Sequence, residues 1–257
     1  MTELDIGLLL LAALFAGFID AVAGGGGLIQ VPTLLVALPG ESPATIFGTN
    51  KLSSVFGTAN AALRYARRIA IPWGLALPAA AAAFVFSFGG AAAVSWMPRE
   101  VVRPLVLLLL VVVLVYTLAR ADFGSVGGSR LALAQERPRA VLVGALLGFY
   151  DGFFGPGAGS FMIFALVRWF HLDFLHASAA AKVINLATNT AALAYFVPSG
   201  HVLLGIGVGM AAFNILGALL GARLALRHGS RFVRGAFILV SALLIVRLGY
   251  DTLRWHM

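Results

Sequence analysis

Two lysines and two aspartates carry the strongest chemical signal in this chain. Lys51 and Lys182 are the only lysines among eighteen Lys and Arg residues. Each follows by thirty-one residues an aspartate that sits just ahead of a glycine cluster. Asp20 precedes Gly24, Gly25, Gly26 and Gly27, and Asp151 precedes Gly155, Gly157 and Gly159. On a helix, Lys51, Ser54 and Thr58 fall at i, i+3 and i+7, as do Lys182, Asn185 and Asn189, so each set forms one polar stripe. An ammonium flanked by hydroxyl and amide groups suits a small oxyanion, and a nearby carboxylate can take up a proton or hold the lysine in place.

These residues come in pairs because the chain repeats. Displaced by 131 positions, Gly17-Phe18-Ile19-Asp20 falls on Gly148-Phe149-Tyr150-Asp151 without a gap, and Lys51 on Lys182, Ser54 on Asn185, and Thr58 on Asn189. Gly74, Gly90 and Arg103 meet Gly205, Gly221 and Arg234 in the same register. Biased composition can align glycines by chance, but it does not readily align two Asp/Lys pairs. The division expected is a first repeat over 1–121, a linker over 122–138 and a second repeat over 139–257.

The elements that must position these side chains are membrane helices. With 61% hydrophobic residues, 11% charged residues and no cysteine, the chain lacks the polar surface of a soluble protein and offers neither a disulfide framework nor a thiolate. Apolar stretches near 45–66, 71–95, 101–120, 176–197, 202–224 and 232–251 approach the roughly 20 residues that cross a bilayer. Two longer runs, 4–38 and 139–170, are interrupted by the glycine clusters. The N-terminal Met-Thr-Glu-Leu-Asp lacks the basic stretch of a secretory signal, so the first run is read as part of the mature chain.

The net charge of +8 does not point to nucleic acid, because the arginines occupy short gaps between apolar runs, as in cytoplasmic membrane loops. Placing 64–71, 120–139, the region around 168–176, and 223–234 in the cytoplasm collects twelve of the eighteen basic residues and leaves both termini outside. That placement requires 4–38 and 139–170 to be glycine-tipped hairpins that enter and leave on one side. The repeats are then inverted relative to each other. The fold class expected is all-α: a polytopic transmembrane bundle of two inverted repeats, each a broken hairpin plus three spanning helices. Eight simple spans in parallel repeats form the competing arrangement, which strands Arg223–Arg234 outside.

The duplicated Gly-Phe-x-Asp-x-x-x-Gly-x-Gly element, followed by Gly48-Thr49-Asn50-Lys51 in one half and Ala181-Lys182-Val183-Ile184-Asn185 in the other, resembles the sulfite exporter TauE/SafE family from about residue 8 to 250. The resemblance implies a multi-pass permease of the bacterial inner membrane whose relatives move sulfite, sulfonates, thiosulfate or related small anions.

The residues also point to an anion. At a hairpin tip, the backbone N–H groups of Gly25 to Leu28 and of Gly157 to Ser160 would open the returning half-helices, whose ends carry partial positive charge. Such a nest suits an oxyanion; the same glycines could instead serve close helix packing. Four ionisable groups at membrane depth need partners. Two structural Asp–Lys salt bridges and a working set of substrate-binding lysines with proton-coupling aspartates are both compatible with the spacing.

Weaker candidates are Asn50, Asn60, Asn189 and Asn214, which could bind substrate or bridge helices, and Tyr65, Tyr150 and Tyr195. His171, His176 and His201 form no metal-ligand pattern, and no cofactor is expected. Gly155-x-Gly157-x-Gly159 is not read as a dinucleotide fingerprint, since it follows a membrane segment and not a strand. With no catalytic nucleophile or metal set, the chain is not expected to be an enzyme. A secondary transporter of a small anion, ion- or proton-coupled, is the function expected. An anion channel and a non-transporting partner subunit are the alternatives. Lipid is the expected surrounding, and Gly205, Gly209, Gly217 and Gly221 could pair two copies in a homodimer or pack within one.

Overall fold

The computed structural model describes residues 3–98, 100–101, 108 and 133–228. The expected spans 101–120 and 232–251, and most of the linker, lie outside the described residues. The described residues form eight α-helices and no strand: α1 (Glu3–Ala23), α2 (Gly27–Ala37), α3 (Pro43–Ala66), α4 (Trp73–Val94), α5 (Leu133–Phe153), α6 (Ala158–Phe170), α7 (Phe174–Phe196) and α8 (Leu204–His228). Of these, α1, α4 and α8 are long and apolar enough to cross a membrane. At 24 and 23 residues, α3 and α7 are equally long, but their polar stripes lower their hydropathy, and they bury those stripes inside the bundle.

Local sequence fixes where these two polar helices begin. Ser42 caps α3 by accepting from the Thr45 amide, with Pro43 in the first turn, and Asp173 caps α7 by accepting from the Leu175 and His176 amides. Both arrangements satisfy donors that a helix start leaves open. The glycine clusters break the two hairpins as expected. α1 turns into α2 through Gly24 at φ 75°, and α5 into α6 through Gly155 at φ 87° and Gly157 at φ 81°, backbone angles that side-chain-bearing residues rarely adopt.

Small residues then set how the long helices pack. A Cβ on Gly17 would lie 2.1 Å from the Asn214 carbonyl oxygen, and one on Gly221 would lie 2.3 Å from that of Phe18. α1 and α8 therefore run side by side in the same direction. α5 lies along α4 in the same way: Gly144 faces Ala79, Gly148 faces Ala83, and Gly152 faces Ser87. Such backbone-to-backbone seams are how helices associate where apolar burial gives no driving force between them. Gly217 and Gly221 thus face α1 within the monomer, the second of the two roles open to them, while a Cβ on Gly205 would meet nothing within 4 Å.

Buried apolar residues gather in two clusters. One surrounds α2 and includes Leu9, Ile19, Leu34, Phe47, Ala192 and Phe196; the other surrounds α6 and includes Ala21, Ala61, Met162, Leu166, Phe170 and Ile184. Along α1 the change from one to the other falls at Asp20, along α3 between Phe47 and Ala61, and along α7 between Ile184 and Ala192. Lys51, Ser54 and Thr58 fall in the interval on α3, and Asn185 and Asn189 in that on α7, with Lys182 just ahead of it.

The seams should be intolerant of volume. Gly17→Ala and Gly148→Ala should each destabilise the folded protein by about 1–3 kcal/mol, the usual consequence of overpacking. Gly89→Ala, where a Cβ meets nothing within 4 Å, should leave the melting temperature in detergent unchanged. Equal melting temperatures for all three variants would contradict the packing described.

Candidate functional site

The two hairpin tips meet each other. Gly24 lies against Gly159, a Cβ on Gly27 would stand 3.2 Å from Pro156, and the Ser160 amide donates to the Gly24 carbonyl at 3.1 Å. The Ser160 hydroxyl donates to the Ala23 carbonyl at 2.6 Å. Backbone that would otherwise be unpaired at this depth is therefore partly satisfied across the junction. This differs in part from the expected free nest. The Leu28 amide donates to Gly25, the Ala158 amide to Gly155, and the Ser160 amide to Gly24, while α2 opens at Gly27 and not at Gly25.

The four charged groups surround this junction and pair crosswise. Lys51 on α3 donates to Asp151 on α5 at 2.7 Å, and Lys182 on α7 to Asp20 on α1 at 2.9 Å as well as to the Asp20 carbonyl. Each lysine thus takes its counter-charge from the other half of the chain. Lys51, Lys182 and Asp151 are 2%, 1% and 2% exposed, so hydration cannot replace these partners.

The remaining carboxylate oxygens are held by the polar stripes. Asp151 accepts from the Thr188 hydroxyl and from the Asn185 amide at 3.2 Å. Asp20 accepts from Thr58 at 3.2 Å. Asn189 donates to Thr58 at 3.4 Å and to the Asn185 oxygen at 3.2 Å. The stripes on α3 and α7 therefore touch each other as well as the aspartates. Helices α3 and α7 run antiparallel here, since Thr58 meets Asn185 and Asn189, whereas Gly48 packs against Phe196 and His201.

A cavity of about 20 Å³ lies among these groups, lined by Asp20, Gly24, Gly27, Asn50, Lys51, Ser54, Asp151, Gly155, Gly159, Asn185 and Asn189. That is room for one water-sized molecule. Among the expected site residues, Gly25, Gly26, Gly157, Thr58 and Lys182 do not line it. Gly26 packs against Ala16 and Asp20, and Gly157 caps α6. Thr58 and Lys182 reach the site through Asp20.

Three contributors were not selected by the repeat. Thr188 aligns with Gly57 and Gln30 with Phe161, so a search for duplicated residues passes over both. Gln30 is fully buried, donates to Ser53 at 2.6 Å and accepts from Ser54 at 3.1 Å. Asn50, read as a weaker candidate, faces the cavity with its side-chain oxygen buried and without a hydrogen-bond partner among the described residues. By contrast, Asn60 accepts from Arg64, Asn214 donates to the Ala13 carbonyl, Tyr65 donates to the Ala21 carbonyl and Tyr150 to that of Pro156. All four bridge or brace elements away from the cavity.

The family model for sulfite exporter TauE/SafE matches residues 9–248. The chain belongs to that family. Its TauE/SafE relatives include the probable membrane transporter protein YfcA of Escherichia coli K12, 35% identical over 98% of this chain and 92% of the relative. A probable membrane transporter protein of Haemophilus influenzae is 35% identical over 98% of this chain and all of the relative. ORF9 of a Sinorhizobium species, also described as a probable membrane transporter protein, is 35% identical over 95% and 92%. No solved structure matches. The TauE/SafE chain described here is accordingly a membrane transporter by family.

Removing one member of a crossed pair leaves an uncompensated buried charge. Asp151→Ala should lower stability by about 3–5 kcal/mol, and adding Lys51→Met should recover much of that loss. A thermal-unfolding double-mutant cycle in detergent measures it. Additive losses would mean that the two groups do not depend on each other.

Proposed function

We propose that this chain is a secondary transporter built from two inverted repeats, and that it carries a small anion, such as sulfite, a sulfonate, thiosulfate or a related oxyanion, in company with a proton. The observation that carries the reading is the crossed pairing of Lys51 with Asp151 and Lys182 with Asp20 where two broken hairpins meet.

Several features support the repeat and its inversion. α6, α7 and α8 begin 131 positions after α2, α3 and α4. The seams correspond as well: Gly17 on Asn214 matches Gly148 on Ala83, and Gly221 on Phe18 matches Gly90 on Phe149. Equivalent helices α3 and α7 run in opposite directions, as inverted copies must. The ends of α3 and α8 bring Arg64, Arg67, Arg68, Arg223 and Arg227 together, which agrees with a single arginine-rich cytoplasmic face. The bacterial relatives favour the inner membrane of a bacterium as its location.

Charge accounting supports the coupling. Two lysines paired with two aspartates make a neutral set, which has little attraction for an anion. Protonating one aspartate releases its lysine, and the site then has one positive charge to offer. An anion and a proton would therefore enter together, and their departure restores both pairs. Asn50, Ser54, Asn185 and Asn189 supply neutral hydrogen bonds around that position. The tips of the hairpins seal against each other through backbone contacts, an arrangement that suits alternating access better than a continuous pore.

Uptake of labelled sulfite, sulfate, thiosulfate and short sulfonates into proteoliposomes, with and without an imposed pH gradient, tests this. The wild type should show saturable uptake that rises with the gradient. Asp20→Asn and Asp151→Asn should abolish the gradient dependence, and Lys51→Ala or Lys182→Ala should reduce uptake at least about tenfold, from the loss of a charge-assisted hydrogen bond. Wild-type rates in a folded Lys51→Ala/Lys182→Ala protein would overturn the assignment of the lysines. Gradient-independent flux in the wild type would overturn proton coupling.

A further inference from the structure

A second, chemically distinct site lies at the arginine-rich end of the bundle, away from the crossed pairs. The C-terminal turns of α3 and α8 bound an open basin of about 640 Å³ that holds Arg64, Arg67, Arg68, Arg223 and Arg227 and, among the described residues, no acidic residue in its lining. The ion pairs found among the described residues do not involve any of these five; the one side-chain bond from them is Arg64 to Asn60 at 3.2 Å. Five guanidinium groups facing one space repel one another unless an anion lies between them.

The basin does not stand alone. Arg64 and Arg223 also form the rim of an adjoining groove of about 360 Å³, lined otherwise by Leu14, Leu216, Leu219 and Leu220. Leu216 and Leu220 are 50% and 49% exposed. From Arg223 to Leu216 the groove follows α8 for about 10 Å toward the membrane interior. Arginines that only orient the chain by charge, or only face the negative ends of two helices, need no apolar groove beneath them. A molecule with a negative headgroup and a hydrocarbon chain fits both parts at once.

We propose that the basin and groove hold an anionic phospholipid, its phosphate among the five arginines and one acyl chain along Leu216, Leu219 and Leu220. The lipid ties the ends of α3 and α8, one from each half of the chain, on the arginine-rich face. Its binding depends on both parts, since arginine supplies bidentate contacts to phosphate and the leucines cover the chain.

Native mass spectrometry of the delipidated full-length protein, titrated with phosphatidylglycerol, with phosphatidylcholine of the same acyl chains, and with inorganic phosphate, tests the assignment. Phosphatidylglycerol should be retained in preference to phosphatidylcholine. Arg67→Gln/Arg223→Gln/Arg227→Gln should weaken it at least about tenfold, given the attraction of each basic residue for an anionic headgroup. Arg137→Gln/Arg139→Gln, which removes charge near the start of α5 outside the basin, should not. Leu216→Trp, which keeps every arginine, should reject long-chain phosphatidylglycerol while retaining a dihexanoyl form, and it serves if the triple variant does not fold. Equal retention of the two lipids by the wild type would overturn the proposal. So would equal weakening by the Arg137/Arg139 pair, or inorganic phosphate binding as tightly as the lipid.

Discussion

The structure is arranged around four charge-bearing side chains at the meeting of the two hairpins, three of which, Lys51, Lys182 and Asp151, are buried away from water and must find their partners inside the protein. An isolated charge at the bilayer centre costs roughly 2.5–3.5 kcal/mol even on lenient scales, and a half-satisfied pair inside protein can cost more. Lys51, Lys182, Asp20 and Asp151 avoid both penalties by pairing across the two halves and by drawing in Thr58, Thr188 and Asn185 to hold the remaining carboxylate oxygens. The glycine tips bring the aspartate-bearing helices close enough for that pairing, and the caps at Ser42 and Asp173 fix where the lysine-bearing helices start.

This need also explains why the apolar interior is divided. Residues packed around α2 and those packed around α6 form separate clusters, and the polar stripes of α3 and α7 occupy the layer between them. A continuous hydrophobic core would leave no place for the crossed pairs. The tips, where helical bonding lapses, fall in that same layer, and contacts such as Ser160 to Gly24 satisfy part of their backbone.

Much of this could be read from the residues alone. The 131-residue displacement located both hairpins, both lysine helices and the members of the crossed pairs, because duplicated polar residues stand out against an apolar background. The partners could not be read, since spacing within one repeat says nothing of which aspartate a lysine reaches through space. Thr188 and Gln30 escaped for a related reason: at the 131-residue displacement they fall opposite Gly57 and Phe161, so no matching polar residue marks them. The tip amides illustrate a different limit. A glycine run indicates where a helix breaks, but whether Leu28 or Ala158 donates inside its own turn depends on φ at Gly24, Gly155 and Gly157. The groove beside Arg64 and Arg223 was likewise hidden, because leucines facing lipid and leucines facing protein look alike in sequence.

The crossed pairing has a consequence for the order of events during synthesis. A ribosome delivers Asp20 131 residues and Lys51 100 residues before Asp151 emerges, and Lys182 follows later still. Until then the earlier half holds charges whose native partners do not yet exist. The seams along α1 and α4 also wait, because their complements are α8 and α5. Neither crossed pair and neither glycine seam can therefore form until the second half of the chain has been made.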